Sequence, residues 1–407
     1  MHYGLLGRNL SHSYSPQIHN ALVDYDYALM EIEPEYLETF MQTANFRGIN
    51  VTIPYKKAVL PYCSSLSEQA QRLKAVNTIV RKDDGTLLGH NTDYFGFQEL
   101  LRTSGLNVQD KKVLVLGSGG AGVTASAVLA DMGAKVITIS RNAKNNYNNI
   151  HLHTDAAVIV NATPVGMYPN NGQSPINLNI FRNLEGVLDL IYNPSKTALL
   201  LQAEEMGLTA VNGLYMLVAQ AKESAEYFSG VKISNKKIDE VHEMLKQQTE
   251  NIILIGMPGC GKTTIGAILA KRLNREYIDT DQLLEKQTGV SVPSYIERFG
   301  IDKFRFEESQ IIRRVSKQSG LVIATGGGCV TQECNYKPLH QNGTIIWIKR
   351  AIEDLPTVGR PLSAHNNLQD MYDARSPLYE HFADMQITND TTPKMAAEAI
   401  LRALKGE

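Results

Sequence analysis

Residues 252–264 read Ile-Ile-Leu-Ile-Gly-Met-Pro-Gly-Cys-Gly-Lys-Thr-Thr, and no other stretch restricts its own conformation so narrowly. The apolar, β-branched run Ile252–Ile255 is strand-forming, and the recurrence of Ile265, Leu269, Ala270 and Leu273 sets a helical face directly after it. Between them, glycines let successive backbone N–H groups turn inward at a helix N-terminus, where the peptide dipoles favour negative charge. Lys262 adds a cation there, suited to the β- and γ-phosphates of a polyphosphate, and Thr263 adds a hydroxyl suited to Mg²⁺. The pattern G-x-x-x-x-G-K-T with both flanks is that of a phosphate-binding loop; a plain glycine turn opening a helix would require neither the lysine nor the threonine. This part of the chain is expected to bind a nucleoside triphosphate through Gly259, Cys260, Gly261, Lys262, Thr263 and Thr264.

That loop accounts for only part of 407 residues, a length that predicts two or three domains. With 43% hydrophobic and 20% charged residues the chain reads as soluble and globular, and a formal net charge of -2 argues against nucleic-acid binding by bulk electrostatics. Four cysteines, Cys63, Cys260, Cys329 and Cys334, form no CxxC pair and no zinc spacing. Because Cys260 sits inside the phosphate loop, a reducing compartment is expected. The start, MHYGLLGRNLSHS, lacks a basic-then-apolar signal, and no run reaches membrane-span length, so the expected location is cytoplasmic, with no membrane partner.

Strand-type and helix-type segments alternate nearly throughout, which predicts an α/β fold of parallel sheets flanked by helices. A Lys-rich amphipathic segment, Ser234–Gln248, separates two completed α/β patterns and reads either as the last helix of the first or as a helical linker, over about 234–250.

Before that boundary, polar residues cluster where strand-type runs end, the place open α/β sheets put ligands. Ser13 and Ser15 precede a helix start marked by Pro16; they suit a carboxylate or polyol ligand, or, taken alone, an N-cap. Lys56 ends the run 48–56 and Asp93 the run 89–93; brought together they make an acid/base pair, and apart they are a solvated lysine and a turn-forming aspartate. Next, Lys112–Leu116 leads into Gly117-Ser118-Gly119-Gly120-Ala121-Gly122 and an Ala-rich helix, with a second strand at 135–140. This is the dinucleotide fingerprint in a Rossmann setting. Where an acidic residue would grip an NAD ribose, the chain has Ser140-Arg141; a guanidinium suits a 2′-phosphate, which predicts NADPH.

The motifs SHSYSPQIHN, GINVTIPYK, AVNT, GHNTDYFG, GSGGAG, NATPVGMYP, LDLIYNPSKTALL and NGLYMLVAQA, in this order over residues 3–230, resemble shikimate dehydrogenase. The resemblance implies a catalytic domain at 1–103 completed by a returning helix at about 213–245, and an NADP domain at 104–212. It implies that Ser13 and Ser15 hold the substrate carboxylate, that Thr52, Asn77, Asp93, Tyr192 and Gln220 meet its hydroxyl face, and that Lys56 is the general acid/base oriented by Asp93. Gly117, Ser118, Gly119, Gly120, Ala121, Ser140 and Arg141 are then the NADP contacts, with Leu190, Gly213 and Met216 at the nicotinamide. Two departures from that pattern stand out: the stretch after Arg141 is too short and too poor in helix formers for the usual helix and strand, and Asn145 stands near the place of a second arginine.

After the phosphate loop come Asp279-Thr-Asp281 at a strand end, Phe304-Arg305-Phe-Glu-Glu308 on a helix, Ala324-Thr-Gly-Gly-Gly328 after a buried strand, Arg360-Pro-Leu in a loop and Arg375-Ser-Pro-Leu-Tyr379 closing a helix. Carboxylates facing a phosphate loop can organise Mg²⁺ and take a proton from an acceptor hydroxyl, and Asp279 or Asp281 can also cap the following helix. Two arginines near a glycine strand end suit a small acid, since guanidinium clamps carboxylate with two parallel hydrogen bonds. The ordered set GMPGCGKTT, DTD, FRFEE, ATGGG, GRPL and RSPLY resembles shikimate kinase over about 251–407, a P-loop NTPase domain. The resemblance gives Asp281, Arg305, Gly327 and Arg375 to shikimate, with Asp281 as base; Lys262 and Arg360 to the transferred phosphate and ATP; and Thr263 and Asp279 to Mg²⁺. The segment before Arg360 is short and lacks an arginine usual in that family.

Together the resemblances imply a bifunctional enzyme that reduces 3-dehydroshikimate with NADP(H) and phosphorylates shikimate with ATP and Mg²⁺, in aromatic amino-acid biosynthesis. Its partners would be small molecules; a homodimer is compatible with the sequence and has no support in it. Two other readings stand: one half is a nucleotide- or shikimate-binding regulatory module, or the first half is an NAD-using quinate dehydrogenase, against which Ser13, Ser15 and Arg141 speak.

Overall fold

The computed structural model describes residues 3–10, 13–355 and 368–406; Arg360 and the adjoining loop lie outside the described residues. Packing divides the chain into two units, Met1–Met167 with Gln173–Tyr192 and Gln202–Leu245, and Tyr168–Gly172 with Asn193–Leu201 and Lys246–Glu407.

The first unit holds two sheets among its described residues. Strands β1 (Tyr3–Gly7), β2 (Tyr27–Glu31), β3 (Gly48–Val51), β4 (Ser65–Leu66), β5 (Thr78–Arg81) and β6 (Leu87–His90) form a sheet in the order β2-β1-β3-β5-β6-β4. The expectation of wholly parallel sheets fails here: β5 runs antiparallel to both β3 and β6. The cause is local. Asp83-Asp84-Gly85 closes a tight hairpin in which Gly85 takes φ +83° and Asp84 Oδ1 accepts from Thr86 N at 2.9 Å. Leu6, Ile49, Val51 and Ile79 from this sheet pack with Tyr55 and Val59 into a core.

The second sheet, β7 (Lys112–Leu116), β8 (Lys135–Ile139), β9 (Val158–Asn161), β10 (Gly186–Asp189) and β11 (Thr209–Asn212), is parallel in the order β11-β10-β9-β7-β8. Between β8 and β9 the chain forms a 3₁₀ segment, Tyr147–His153, capped reciprocally by Asn146 and Asn149, in place of a full crossover helix.

Two helices join the sheets. Asp93–Ser104 and Leu214–Ser229 cross so closely at Gly96 that a Cβ there would lie 2.7 Å from Met216 O and 2.9 Å from Gln220 Cβ. A residue late in the unit is thereby returned to the strand ends of its first sheet. The Lys-rich segment is the helix Lys236–Thr249, whose stripe Ile238, Val241 and Leu245 joins the core of the first unit; Tyr215 OH donates to Asp239 Oδ1 at 2.8 Å.

The second unit is built on a parallel sheet, β12 (Asn251–Ile255), β13 (Tyr277–Asp279), β14 (Val322–Ala324), β15 (Gly343–Lys349) and β16 (Met385–Thr388), in the order β13-β14-β12-β15-β16. Central β12 is buried throughout, as its unbroken apolar run requires. The helix Ile301–Val315 buries Phe304, Arg305, Glu308, Ile311, Ile312 and Val315, one helical face that carries a cation and a carboxylate into the core. The helix Leu368–Phe382 continues through Pro377, past the point where that residue would be expected to end it.

Candidate active sites

In the first unit, Lys56 follows β3 and Asp93 opens a helix, where the dipole favours a carboxylate. They meet: Lys56 Nζ donates to Asp93 Oδ2 at 2.6 Å, with side chains 27% and 12% exposed, so the pair is mostly sheltered yet reachable. Asn77 Nδ2 donates to the other carboxylate oxygen, Asp93 Oδ1, and to Thr92 Oγ1, both at 3.0 Å, and reaches Gln220 Oε1 at 3.4 Å. Thr92 N donates to Asn77 Oδ1 at 2.7 Å, which fixes the amide's orientation.

Behind Asn77 lies a buried set of hydroxyls. Thr78 Oγ1, Thr92 Oγ1 and Ser224 Oγ are mutually within 3.3 Å, and Asn50 Nδ2 donates to Ser224 at 2.8 Å and to Thr78 at 3.0 Å. Tyr27 OH donates to Asn50 Oδ1 at 2.7 Å, and His19 stacks on Tyr27 with ring centroids 3.9 Å apart. Complete burial holds the His19 pKa down at about 3, so the ring is neutral in the folded chain.

Ser13 and Ser15 also adjoin, Ser13 Oγ donating to Ser15 Oγ at 3.1 Å and accepting from Ser15 N at 3.2 Å. Neither is an N-cap: that position is Tyr14, and its side chain makes no cap bond. Thr52 follows β3 and donates its N–H to Leu6 O at 2.9 Å; Tyr192 lies 5.8 Å from Tyr14, ring to ring, and burial raises its phenol pKa. Among the described residues these four make no hydrogen bond to the Lys56, Asp93, Asn77 and Gln220 group.

The glycine turn after β7 divides by role. Gly117 takes φ +105°, and a Cβ on Gly122 would fall 2.2 Å from Gly117 O, so these two make the turn and its tight helix packing. At Gly119 and Gly120 a Cβ would meet nothing within 4 Å, and the helix Gly120–Asp131 starts without a side-chain cap. Gly119 and Gly120, flanked by Ser118 and Ala121, therefore present backbone to open space at a helix N-terminus, a cradle that fits a pyrophosphate. Ser140 N donates to Asn145 O at 3.2 Å, closing the turn that exposes Arg141. Gly213 backs onto Leu190, where a Cβ would lie 2.2 Å from the carbonyl oxygen, while Met216 is buried in the helix behind.

In the second unit, Gly256, Gly259 and Gly261 all have positive φ, at +142°, +88° and +107°. Lys262, the first residue of the helix after the loop, donates from Nζ to Gly256 O at 2.8 Å and to Met257 O at 3.0 Å, lying back along the loop, and Thr264 sits in the first turn of the helix. Asp279 is the helix cap foreseen as one of its roles. Its Oδ1 caps the helix Thr280–Thr288 through Asp281 N and Gln282 N, and its Oδ2 accepts from Thr263 Oγ1 at 2.9 Å. A hydroxyl and a carboxylate oxygen so placed fit Mg²⁺, which takes few protein oxygens beside waters and phosphates.

Asp281 faces a second carboxylate: a Cβ on Gly326 would lie 2.8 Å from Asp281 Oδ1 and 2.2 Å from Glu308 Oε1. Burial first, then Glu308 and Asp279, push the Asp281 pKa up to about 7 against the pull of Lys262 and Arg305. Arg305 donates to Glu308 Oε2 at 2.6 Å and lies across Gly328, where a Cβ would be 1.9 Å from its guanidinium. Arg375 donates to Gly327 O at 3.1 Å, and Tyr379 OH reaches the same carbonyl. Asp281, Arg305, Arg375 and Gly326–Gly328 thus form one cluster at the ends of β13 and β14, beside the phosphate loop.

Two family models match the chain: "Shikimate dehydrogenase substrate binding domain" over residues 5–79 and "Shikimate kinase" over residues 258–405. The NADP(+)-dependent shikimate dehydrogenase of Clostridium beijerinckii is 34% identical over 267 residues, 60% of this chain and 98% of that protein. The chain belongs to the shikimate dehydrogenase family. Its later part carries a shikimate kinase domain, and the two together make it a bifunctional shikimate-pathway enzyme, oxidoreductase and transferase. Among solved structures, shikimate dehydrogenase 1 from Peptoclostridium difficile is similar at TM-score 0.56 and 37% identity, over 60% of this chain and 98% of that one. Shikimate 5-dehydrogenase from Thermus thermophilus, solved with NADP(H) and shikimate, is similar at TM-score 0.55 and 29% identity, over 60% and 99%.

Several residues of the dehydrogenase unit meet partners that the sequence does not signal. Asn50, Thr78 and Thr92 stand in three separate motifs and Ser224 in none, and only the register of β3 and β5 and the returning helix assemble them. Asn161 and Asp189, fully buried opposite each other on β9 and β10, join side chain to side chain at 3.0 Å and hold Thr163 N and Ile191 N. Two strand-final polar residues in "NATP" and "LDLIY" were the available hint.

Proposed function

We propose that the first unit reduces 3-dehydroshikimate to shikimate with NADPH, and that the second transfers the γ-phosphoryl group of MgATP to the shikimate 3-hydroxyl. The observation that carries the reading is the 2.6 Å contact of Lys56 with Asp93, backed by Asn77. An ammonium so held donates its proton to a ring carbonyl oxygen as that oxygen gains charge, and Asp93 keeps it aimed. NADPH supplies the hydride. Gly117–Ala121 cradle its pyrophosphate, Ser140 and Arg141 take the 2′-phosphate, and Leu190, Gly213 and Met216 form the wall for its nicotinamide. Ser13 and Ser15 hold the substrate carboxylate, while Thr52, Asn77, Tyr192 and Gln220 meet its hydroxyls.

In the kinase domain, Arg305, Arg375 and the Gly327 backbone hold the shikimate carboxylate end, and Asp281 accepts the proton of the attacking hydroxyl. Gly259–Thr264 wrap the triphosphate, Lys262 and Arg360 neutralise charge on the group in transfer, and Thr263 with Asp279 hold Mg²⁺. The domains are 1–103 with 213–245, 104–212, and 251–407. The enzyme works in the cytoplasm on small molecules, without nucleic acid or membrane. Four free cysteines, and no helix among the described residues long and apolar enough to cross a membrane, support that placement.

The test is a coupled assay: dehydroshikimate, NADPH and MgATP should yield shikimate 3-phosphate, Lys56→Ala should stop only the first step, and Lys262→Ala only the second. Loss of both steps in either variant would refute two independent sites.

A further inference from the structure

The C-terminal edge of the kinase sheet is divided by chemistry. On one side of central β12, the ends of β13 and β14 present Asp279, Asp281 and Gly326–Gly328, with Arg305 and Arg375 against them. On the other side, the ends of β15 and β16 present Arg350 and Asn389. Both reach the phosphate loop from that flank: Arg350 donates to Gly259 O at 3.3 Å, and Asn389 Nδ2 to Cys260 O at 2.8 Å.

Phosphoryl transfer places the attacking and leaving oxygens in line through phosphorus. With the acceptor hydroxyl at Asp281 and the phosphates over the loop, the rest of the donor must depart on the opposite flank. There the cations are few. From 351 to 359 the sequence is Ala-Ile-Glu-Asp-Leu-Pro-Thr-Val-Gly, with no lysine or arginine, and the neighbouring Lys349 lies over the Trp347 ring at 4.6 Å and donates to Gln386 Oε1 at 3.4 Å. Among the described residues Arg350 is the other cation of that strand end, half-buried, with one N–H pinned to the loop and a planar group able to stack on a base.

We propose that Arg350 binds the nucleoside end of the triphosphate. This rests on the kinase reading above. It gives the residue a role in recognition beyond bracing Gly259, and the two roles separate by ligand. A contact to the nucleoside matters for ATP and is irrelevant to inorganic triphosphate, whereas a brace for the loop matters equally to both.

The experiment is titration of the full chain with MgATP and with magnesium triphosphate, for wild type, Arg350→Ala, Arg350→Lys and Lys262→Ala. Arg350→Ala should weaken MgATP about tenfold, the size of one charge-assisted contact, and leave triphosphate binding within about twofold. The KM for shikimate should hold. Arg350→Lys, which keeps charge and stem and guards against a folding failure, should show the same ATP-selective loss at smaller size. Equal weakening of both ligands, or of neither, overturns the assignment. Failure of wild type to bind MgATP, or binding by Lys262→Ala equal to wild type, would overturn instead the kinase reading on which it stands.

Discussion

The chain uses a strand, a glycine turn and a helix twice to hold phosphate, and the two turns solve the problem differently. After β7, backbone borders open space at Gly119 and Gly120, and the nearby cation, Arg141, is supplied by the end of β8. After β12, the cation is within the turn itself, Lys262, and Thr263 is tied to Asp279 beside it. A dinucleotide's pyrophosphate is only held in place, so N–H dipoles suffice. A triphosphate gives up its terminal group, and charge developing there needs a cation and a metal-binding pair.

The strongest way to break this contrast is at the first turn. Gly122→Ala places a methyl against a backbone oxygen and should cost the unit about 3 kcal/mol, read by denaturant unfolding, while Gly119→Ala should cost less than about 1 kcal/mol yet raise the KM for NADPH. Equal destabilisation by both would mean that the open space at Gly119 is not the ligand's. Next, Arg141→Ala should raise the KM for NADPH between about ten- and a hundredfold and leave that for NADH alone; a parallel change in both would remove the assigned 2′-phosphate contact. On the kinase side, Gly328→Ala displaces the Arg305 guanidinium and should raise the KM for shikimate about tenfold with the KM for ATP unmoved, since the clash lies on the acceptor flank.

A pH effect separates the units as well. His19 has a folded pKa of about 3 against an ordinary 6.5, so between those values the unfolded chain binds the extra proton. Stability of the first unit should therefore fall on acidification through that window, by at most about 1.4 kcal/mol per pH unit from this group. His19→Gln should flatten the slope of the first unit's melting temperature against pH. A slope identical to wild type would exclude His19 as its source.

Much of this was legible in residue order. Both glycine turns, the helix under Phe304–Glu308 and the strand-end placement of Lys56, Asp93 and Asp281 follow from local periodicity and spacing. The antiparallel β5–β6 hairpin was also written locally, in Asp84-Gly85, but the helix and strand alternation around it pointed to parallel sheets. What residue order withholds is register. Ser224, 132 residues downstream of Thr92, belongs with Thr78 and Thr92 only because its helix returns, and Asn161 meets Asp189 only because β9 and β10 pair residue for residue. Lone serines, threonines and asparagines have no spacing to read until those partners are known.

The returning helix Leu214–Ser229 has a consequence for how the enzyme is made. Gln220 and Ser224 complete a hydrogen-bonded group whose other members, Lys56, Asn77, Thr78, Thr92 and Asp93, all precede residue 94, so nascent chains ending short of that helix carry an unfinished reductase site. Truncations before residue 214 should accordingly be inert as reductases, whereas supplying the missing segment in trans offers a route to complementation.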